Sequence, residues 1–234
     1  TADSKVSEKG LQMAETTTVE CLNIHTIQET KKLLILDLNG VLCDVVERKP
    51  QGCECLSINN KYVIRRPFCE EFLQFCFKKF HVAVWSSRTM FTMEKVVPFL
   101  FQSLHLSLLF CWSRSECTIT GYKTVEKKSK PLVLKELSKV WEYDEDDGFD
   151  ETNTLLIDDS PYKALKNPPH TAIFPYPYSC GNVQDFALGG EIRVYLERIA
   201  EVESVPNFVA NHPYGQKAIS ESNASWDFYK MIIR

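Results

Sequence analysis

No apolar run in this chain approaches the roughly 20 residues that a membrane-crossing helix needs, and no amino-terminal stretch has the basic, apolar, small-residue order of a secretory signal. Charge of one sign is also scarce: the formal net charge is -4 over 234 residues, which argues against DNA as a general partner. The five histidines lie far apart without ligand spacing. Cys53 and Cys55 have no second close Cys or His pair with which to build a zinc site. The nine cysteines are odd in number and scattered, several of them inside apolar runs, which argues against a disulfide framework. That usage predicts reduced, buried thiols in a reducing intracellular compartment, nuclear or cytoplasmic. The chain opens on Thr1, so an organellar location remains open should a transit segment have preceded it.

What is present reads as one ordinary globular domain, long enough to bury a sizeable core. Residues 1–30 are polar and without clean periodicity, a flexible or loosely docked arm; residues 31–209 form the folded domain, and 210–234 a tail. Leu33 to Leu36 is a short, wholly apolar run, as expected of a strand buried on both faces. Arg66-Pro67 then opens a helix with Phe68, Phe72, Phe75 and Cys76 at helical spacing. Further strands are predicted at His81 to Trp85, Leu106 to Cys111, Thr154 to Ile157 and Ala172 to Phe174. Helices are predicted at Thr89 to Phe101, interrupted at Pro98, and at Gly190 to Val202, with Ile192, Leu196 and Ile199 facing the core. The alternation predicts an α/β fold, a central parallel sheet flanked by helices with ligands at the carboxyl ends of its strands. Val46 to Tyr62, with Pro50-Gln51-Gly52 and Asn59-Asn60, is a small hairpin excursion too short for a separate lid, so the site is open. Trp141 to Glu151 is an acidic run read as a solvated loop. Trp226, Phe228, Tyr229 and Ile232 make the tail apolar enough to dock, and Tyr176 and Tyr178 are read as core packing before partner contact.

Two strands end in carboxylates: Asp37 follows Leu36, and Asp158-Asp159-Ser160 follows Ile157. A strand-tip carboxylate can coordinate a hard cation such as magnesium and can also attack phosphorus once that charge is shielded. Asp37 is the candidate nucleophile, and Asp158 and Asp159 complete an oxygen-donor set. A donor for the phosphate oxygens and a cation beside the nucleophile are also needed; Ser86, after the strand ending at Trp85, and Lys135, after the apolar segment 131–134, supply them, each expected where a parallel sheet presents its functional edge. Asn39 is the anomaly, because an amide exchanges no proton near pH 7.

The ordered set LLILDLNGV, RPFCEEFLQF, VAVWSSR, LKELSKV and LLIDDSP resembles the haloacid dehalogenase superfamily, with its Rossmann-like fold. Within it the chain is similar to the nuclear-interacting-factor-like small phosphatases that act on the carboxyl-terminal domain of RNA polymerase II. The likeness runs from about Lys32 to Val209. It implies that Asp37 forms an aspartyl-phosphate, that Ser86 binds phosphate with Ser87, Arg88 and Arg114 near it, and that Lys135 holds the nucleophile. It further implies Mg2+ held by Asp37, the Asn39 carbonyl and Asp159, with Asp158 in support. The aspartate that normally protonates the leaving oxygen and then activates water is replaced by Asn39, as in a plant-type branch of the family. Three readings follow: a slow magnesium-dependent protein serine/threonine phosphatase acting on a phosphorylated protein or peptide; a pseudophosphatase that binds a phosphoprotein or scaffolds a complex; and a presequence receptor like the mitochondrial import subunit of the same fold. The retained Asp37 and Asp159 favour phosphate or metal over the third.

Overall fold

The computed structural model describes residues 31–143, 148–182 and 184–234. In chain order the elements are β1 (Leu33–Leu36), β2 (Cys43–Val46), β3 (Cys55–Ile58), β4 (Lys61–Arg65), α1 (Cys69–Lys79), β5 (His81–Trp85), α2 (Met90–Phe101), β6 (Cys111–Trp112), β7 (Thr118–Lys123), β8 (Pro131–Leu134), α3 (Ser138–Tyr143), β9 (Thr154–Ile157), β10 (Ala172–Ile173), α4 (Glu191–Glu201), α5 (Val205–Asn211) and α6 (Trp226–Ile233).

Five parallel strands form the central sheet in the order β10-β9-β1-β5-β6. β1 lies in the middle, with Leu36 paired to Ile157 of β9 on one side and to Val84 of β5 on the other. All four β1 residues are buried, and successive side chains point to opposite faces. Leu34 and Leu36 join a core with Phe72 of α1, Met93 of α2 and Leu196 of α4. Leu33 and Ile35 join a second core with Trp85, Val133, Leu137 and Val140. At about 1.5–3 kcal/mol for each fully buried Leu or Ile, this double burial fixes the strand that ends in Asp37.

Several local expectations are corrected. α2 runs through Pro98 rather than breaking there: the ring removes only the bond that would run to the Glu94 carbonyl, and the Pro98 carbonyl still accepts from Gln102 N–H in the last turn. The strand expected over 106–111 starts later: residues up to Ser107 lie in a 3-10 turn, Gln102–Ser107, with Leu106 80% exposed. Leu109 N–H donates to Val82 O and Phe110 O accepts from Val84 N–H, and β6 itself is Cys111–Trp112. The hairpin excursion is a three-stranded antiparallel sheet, β2-β4-β3. Its tight turn is Asn59-Asn60, with φ of 50° and 58°, the left-handed pair that a two-residue hairpin requires. β8 pairs with β7 in a separate antiparallel ribbon, so Lys135 is not delivered by the parallel sheet. Of the acidic run, 141–143 belong to α3, while 144–147 lie outside the described residues.

The apolar tail residues dock on this ribbon. Tyr229 and Ile232 of α6 pack with Leu132 and Leu134 of β8 and with Tyr162. Tyr178 is buried and Tyr176 is 71% exposed. Among the described residues no helix is long and apolar enough to cross a membrane.

Candidate active site

Asp37 is the first residue beyond β1, and its N–H donates to the Ile157 carbonyl of β9 at 2.9 Å, which sets Asp37 beside Asp158 in register. The chain then turns sharply. Gly40 has φ +83°, and a Cβ there would fall 2.1 Å from Asp159 Oδ2, so only glycine lets the Asn39-Gly40 turn approach the second acidic strand tip. The turn is held at both ends: Gly40 N–H donates to Cys43 O at 2.7 Å and Tyr178 N–H donates to Gly40 O at 2.8 Å. Arg66 pins the next residue, donating from Nη1 to Val41 O at 3.1 Å while its other nitrogens form a two-point pair with Asp185.

Asp37 and Asp158 are 2% and 0% exposed. Two ammonium groups meet them. Lys135 Nζ lies 2.5 Å from Asp158 Oδ2 and 3.1 Å from Asp37 Oδ1. Lys163 Nζ lies 2.9 Å from Asp37 Oδ2 and 2.8 Å from Asp158 Oδ1. The two lysines are tied by backbone as well, Lys135 N–H donating to Lys163 O at 2.7 Å. The Lys135 contact to Asp37 Oδ1 is an ion pair outside hydrogen-bond geometry, and that buried oxygen has no hydrogen-bond partner. One oxygen of Asp37 is therefore anchored and the other keeps its lone pairs uncommitted.

Burial alone would raise the Asp37 carboxyl, but the Lys135 and Lys163 ammoniums outweigh it and hold the group at about 2. Asp37 is thus an anion at neutral pH, as a nucleophile must be. Asp159 goes the other way: burial, reinforced by Asp158 and Asp37, pushes it up to about 6 despite Lys163. Its Oδ1 accepts from Ser160 Oγ at 2.8 Å. Its backbone carbonyl is clamped by Gln216 Nε2 at 2.7 Å, which also reaches Pro175 O.

Asp37, Asp158 and Asp159 offer oxygens that all lie within 4.8 Å of one another, the one such cluster found among the described residues. An all-oxygen, anionic donor set containing an uncommitted buried oxygen fits a hard divalent cation such as Mg2+. Ser86 stands at the tip of the neighbouring strand β5, 1% exposed; its N–H donates to Trp112 O at 2.9 Å and its Oγ accepts from Arg88 N–H at 3.3 Å. Ser87 and Arg88 are half-buried. Arg114 is exposed and joined to the Arg88 segment through backbone, its N–H donating to Arg88 O at 2.8 Å. Asn39 is half-buried, with an Oδ1 that is buried and without a hydrogen-bond partner. It lines a cavity of about 200 Å³ between the small sheet and α2, together with Val45, Val63, Arg88 and Met93.

Sequence reasoning missed Lys163, Gln216 and the Arg66–Asp185 pair. Lys163 was visible in principle, since it stands four residues after Asp159 and so returns over the strand tip in the 3-10 turn Pro161–Ala164. Asp185 and Gln216 gave no local signal, because their partners lie 119 and 57 residues away in sequence.

A model of the NLI interacting factor-like phosphatase family matches residues 32–206. An uncharacterized FCP1 homology domain-containing protein of Schizosaccharomyces pombe is 27% identical over 197 residues, which is 80% of this chain and 78% of that protein. The human ubiquitin-like domain-containing CTD phosphatase 1 is 25% identical over 206 residues, 87% of this chain and 59% of that protein. The chain thus spans little more than half of that relative. The solved structure of Fcp1, an essential RNA polymerase II CTD phosphatase, aligns over 88% of this chain and 62% of that one, with 15% identity and a TM-score of 0.49.

Proposed function

Because the chain belongs to the NLI interacting factor-like phosphatase family, we propose that it is a phosphoprotein phosphatase of the CTD phosphatase type, working through an aspartyl-phosphate with turnover impaired at Asn39. The observation that carries this reading is Asp37 itself: an anion at the tip of the central strand, one oxygen anchored by Lys163 and the other without a hydrogen bond.

In the first half-reaction Asp37 attacks phosphorus, forming the carboxylate O–P bond as the bond from phosphorus to the serine or threonine oxygen breaks. Lys135 and the Ser86 region meet the charge gathering on the phosphoryl oxygens. Asp37, Asp159 and the Asn39 carbonyl would hold Mg2+, which supplies charge neutralisation between nucleophile and phosphate when bound. The departing alkoxide needs a proton, and the Asn39 amide has none to give. In the second half-reaction water attacks the aspartyl-phosphate, and Asn39 cannot accept its proton. Losing a general acid or base costs about 10²- to 10⁴-fold. The cavity beside Asn39 and Arg88, apolar on its far wall, suits the residue next to a phosphorylated side chain in an extended peptide.

An aryl phosphate separates the two half-reactions, because its leaving group departs without protonation. The expected result is a burst of aryl alcohol stoichiometric with protein, followed by slow turnover. The burst is abolished by Asp37→Asn, and the slow phase accelerates at least about 100-fold in Asn39→Asp. Asn39, an amide that exchanges no proton and whose Oδ1 is buried without a hydrogen-bond partner, also favours a second reading, a pocket that holds a phosphoprotein without processing it. Absence of the burst in folded, magnesium-bound protein, together with no gain in Asn39→Asp, would overturn the enzyme reading and leave the binding one.

A further inference from the structure

Lys163 stands inside the carboxylate cluster rather than beside it. Its Nζ is 2.9 Å from Asp37 Oδ2, 2.8 Å and 3.1 Å from the two oxygens of Asp158, and 3.9 Å from Asp159 Oδ1. Every carboxylate that offers an oxygen to a cation is therefore already in contact with one ammonium. Lys163 is 3% exposed, so water does little to screen it. With Lys135 added, three carboxylates face two ammoniums, and the cluster keeps one net negative charge to attract a divalent ion. A site with one lysine would keep two. The backbone bond from Lys135 N–H to Lys163 O at 2.7 Å sets the two residues side by side at the cluster.

We propose that Lys163 is a built-in competitor of the divalent cation: its ammonium neutralises the Asp37, Asp158 and Asp159 cluster in the metal-free protein and weakens magnesium binding there. The inference deepens the phosphatase reading and rests on its assignment of these carboxylates as metal ligands. It gives the site two cationic states, one closed by lysine and one held by metal, in which Asp37 stays anionic throughout. It also separates this pocket from one in which the metal alone balances the nucleophile.

Magnesium binding to the metal-free protein, measured by titration calorimetry without phosphate, tests it. The repulsion between a unit charge and a divalent ion about 4 Å apart is about 2 kcal/mol even at the dielectric of water, about a thirtyfold effect. Lys163→Met is therefore expected to bind magnesium at least tenfold more tightly than the unaltered chain, and Lys163→Arg, which keeps the charge, within about threefold of it. Should Lys163→Met not fold without metal, its refolding midpoint in magnesium reads the same coupling, and folding that magnesium fails to rescue would overturn the proposal. Equal affinities in all three proteins would overturn it while leaving the metal assignment intact. No magnesium binding in any of them would overturn both.

Discussion

Breaking the Arg66–Asp185 pair on one side only should destabilise the domain far more than removing it whole. Arg66 Nε and Nη2 each lie 2.8 Å from an oxygen of Asp185, and the side chains are 3% and 10% exposed. Arg66 also holds the Val41 carbonyl in the turn that carries Asn39 and Gly40. Arg66→Met leaves the Asp185 carboxylate with only the Ala187 N–H at 3.3 Å and takes from the Val41 carbonyl its guanidinium donor, at an expected cost of about 3–5 kcal/mol. For a folded unit of this size that corresponds to a fall in Tm of roughly 6–20 °C. Asp185→Leu alone strands the guanidinium and should cost a similar amount. The double variant restores charge balance in an apolar setting and should lie above either single one, giving a coupling of at least about 3 kcal/mol. Urea unfolding with unchanged m values measures all four proteins. If the two single costs simply add, the pair is not the connection that holds the turn, and the reasoning fails.

Four further outcomes are expected. In EDTA, Asp159 binds its proton more tightly folded, at about 6, than at its ordinary 3.8, so it removes stability as pH rises between those values. Asp159→Asn should then be more stable by about 3 kcal/mol at pH 7–8 and no different below about pH 4, when urea midpoints are compared across pH. Asp37 has the opposite sign: held at about 2, its contribution is present above about pH 4 and disappears as pH falls toward 2, so acid unfolding of the metal-free Asp37→Asn variant should be less steep in that window. Gly40→Ala drives a methyl into Asp159 Oδ2 at positive φ and should cost at least about 2 kcal/mol while abolishing magnesium binding by calorimetry. Asn60→Val, at φ 58° in the hairpin turn, should lose at least about 1 kcal/mol in urea melts with the phosphoryl burst unchanged.

Fold class and the strand that carries Asp37 were legible because they are written locally. Leu33 to Leu36 is apolar on both faces and ends in Asp37, and Thr154 to Ile157 repeats the pattern before Asp158. The Ile192, Leu196 and Ile199 spacing likewise marked α4, where all three are buried. Lys135 was placed in the site through its motif, yet on the wrong kind of strand, because an apolar run of four does not say whether its partner is parallel. The strand expected over 106–111 began too early because apolarity marks burial and not the start of pairing: Leu106 is exposed in the 3-10 turn, while Phe110 and its neighbours pack on the cores and reach β5. Lys163 carried little signal because a lone lysine is ordinarily a surface residue, although one standing four residues beyond a strand tip returns to it. What stayed hidden were contacts made between distant segments, Arg66 with Asp185 and Gln216 with Asp159, which leave no periodicity in either segment.

The packing of α6 on β8 reaches beyond stability. Leu132 and Leu134 lie under Tyr229 and Ile232, and Lys135 follows directly from that strand. The final helix therefore serves as a backstop for the cation facing the nucleophile, although it contributes no atom to the pocket. A protease cut ahead of Trp226 would leave the five-stranded sheet and Asp37 standing while freeing the lysine's support to drift. A pull on this helix would reach the Lys135–Asp37 ion pair from the opposite side of the ribbon, without touching Asp37 itself.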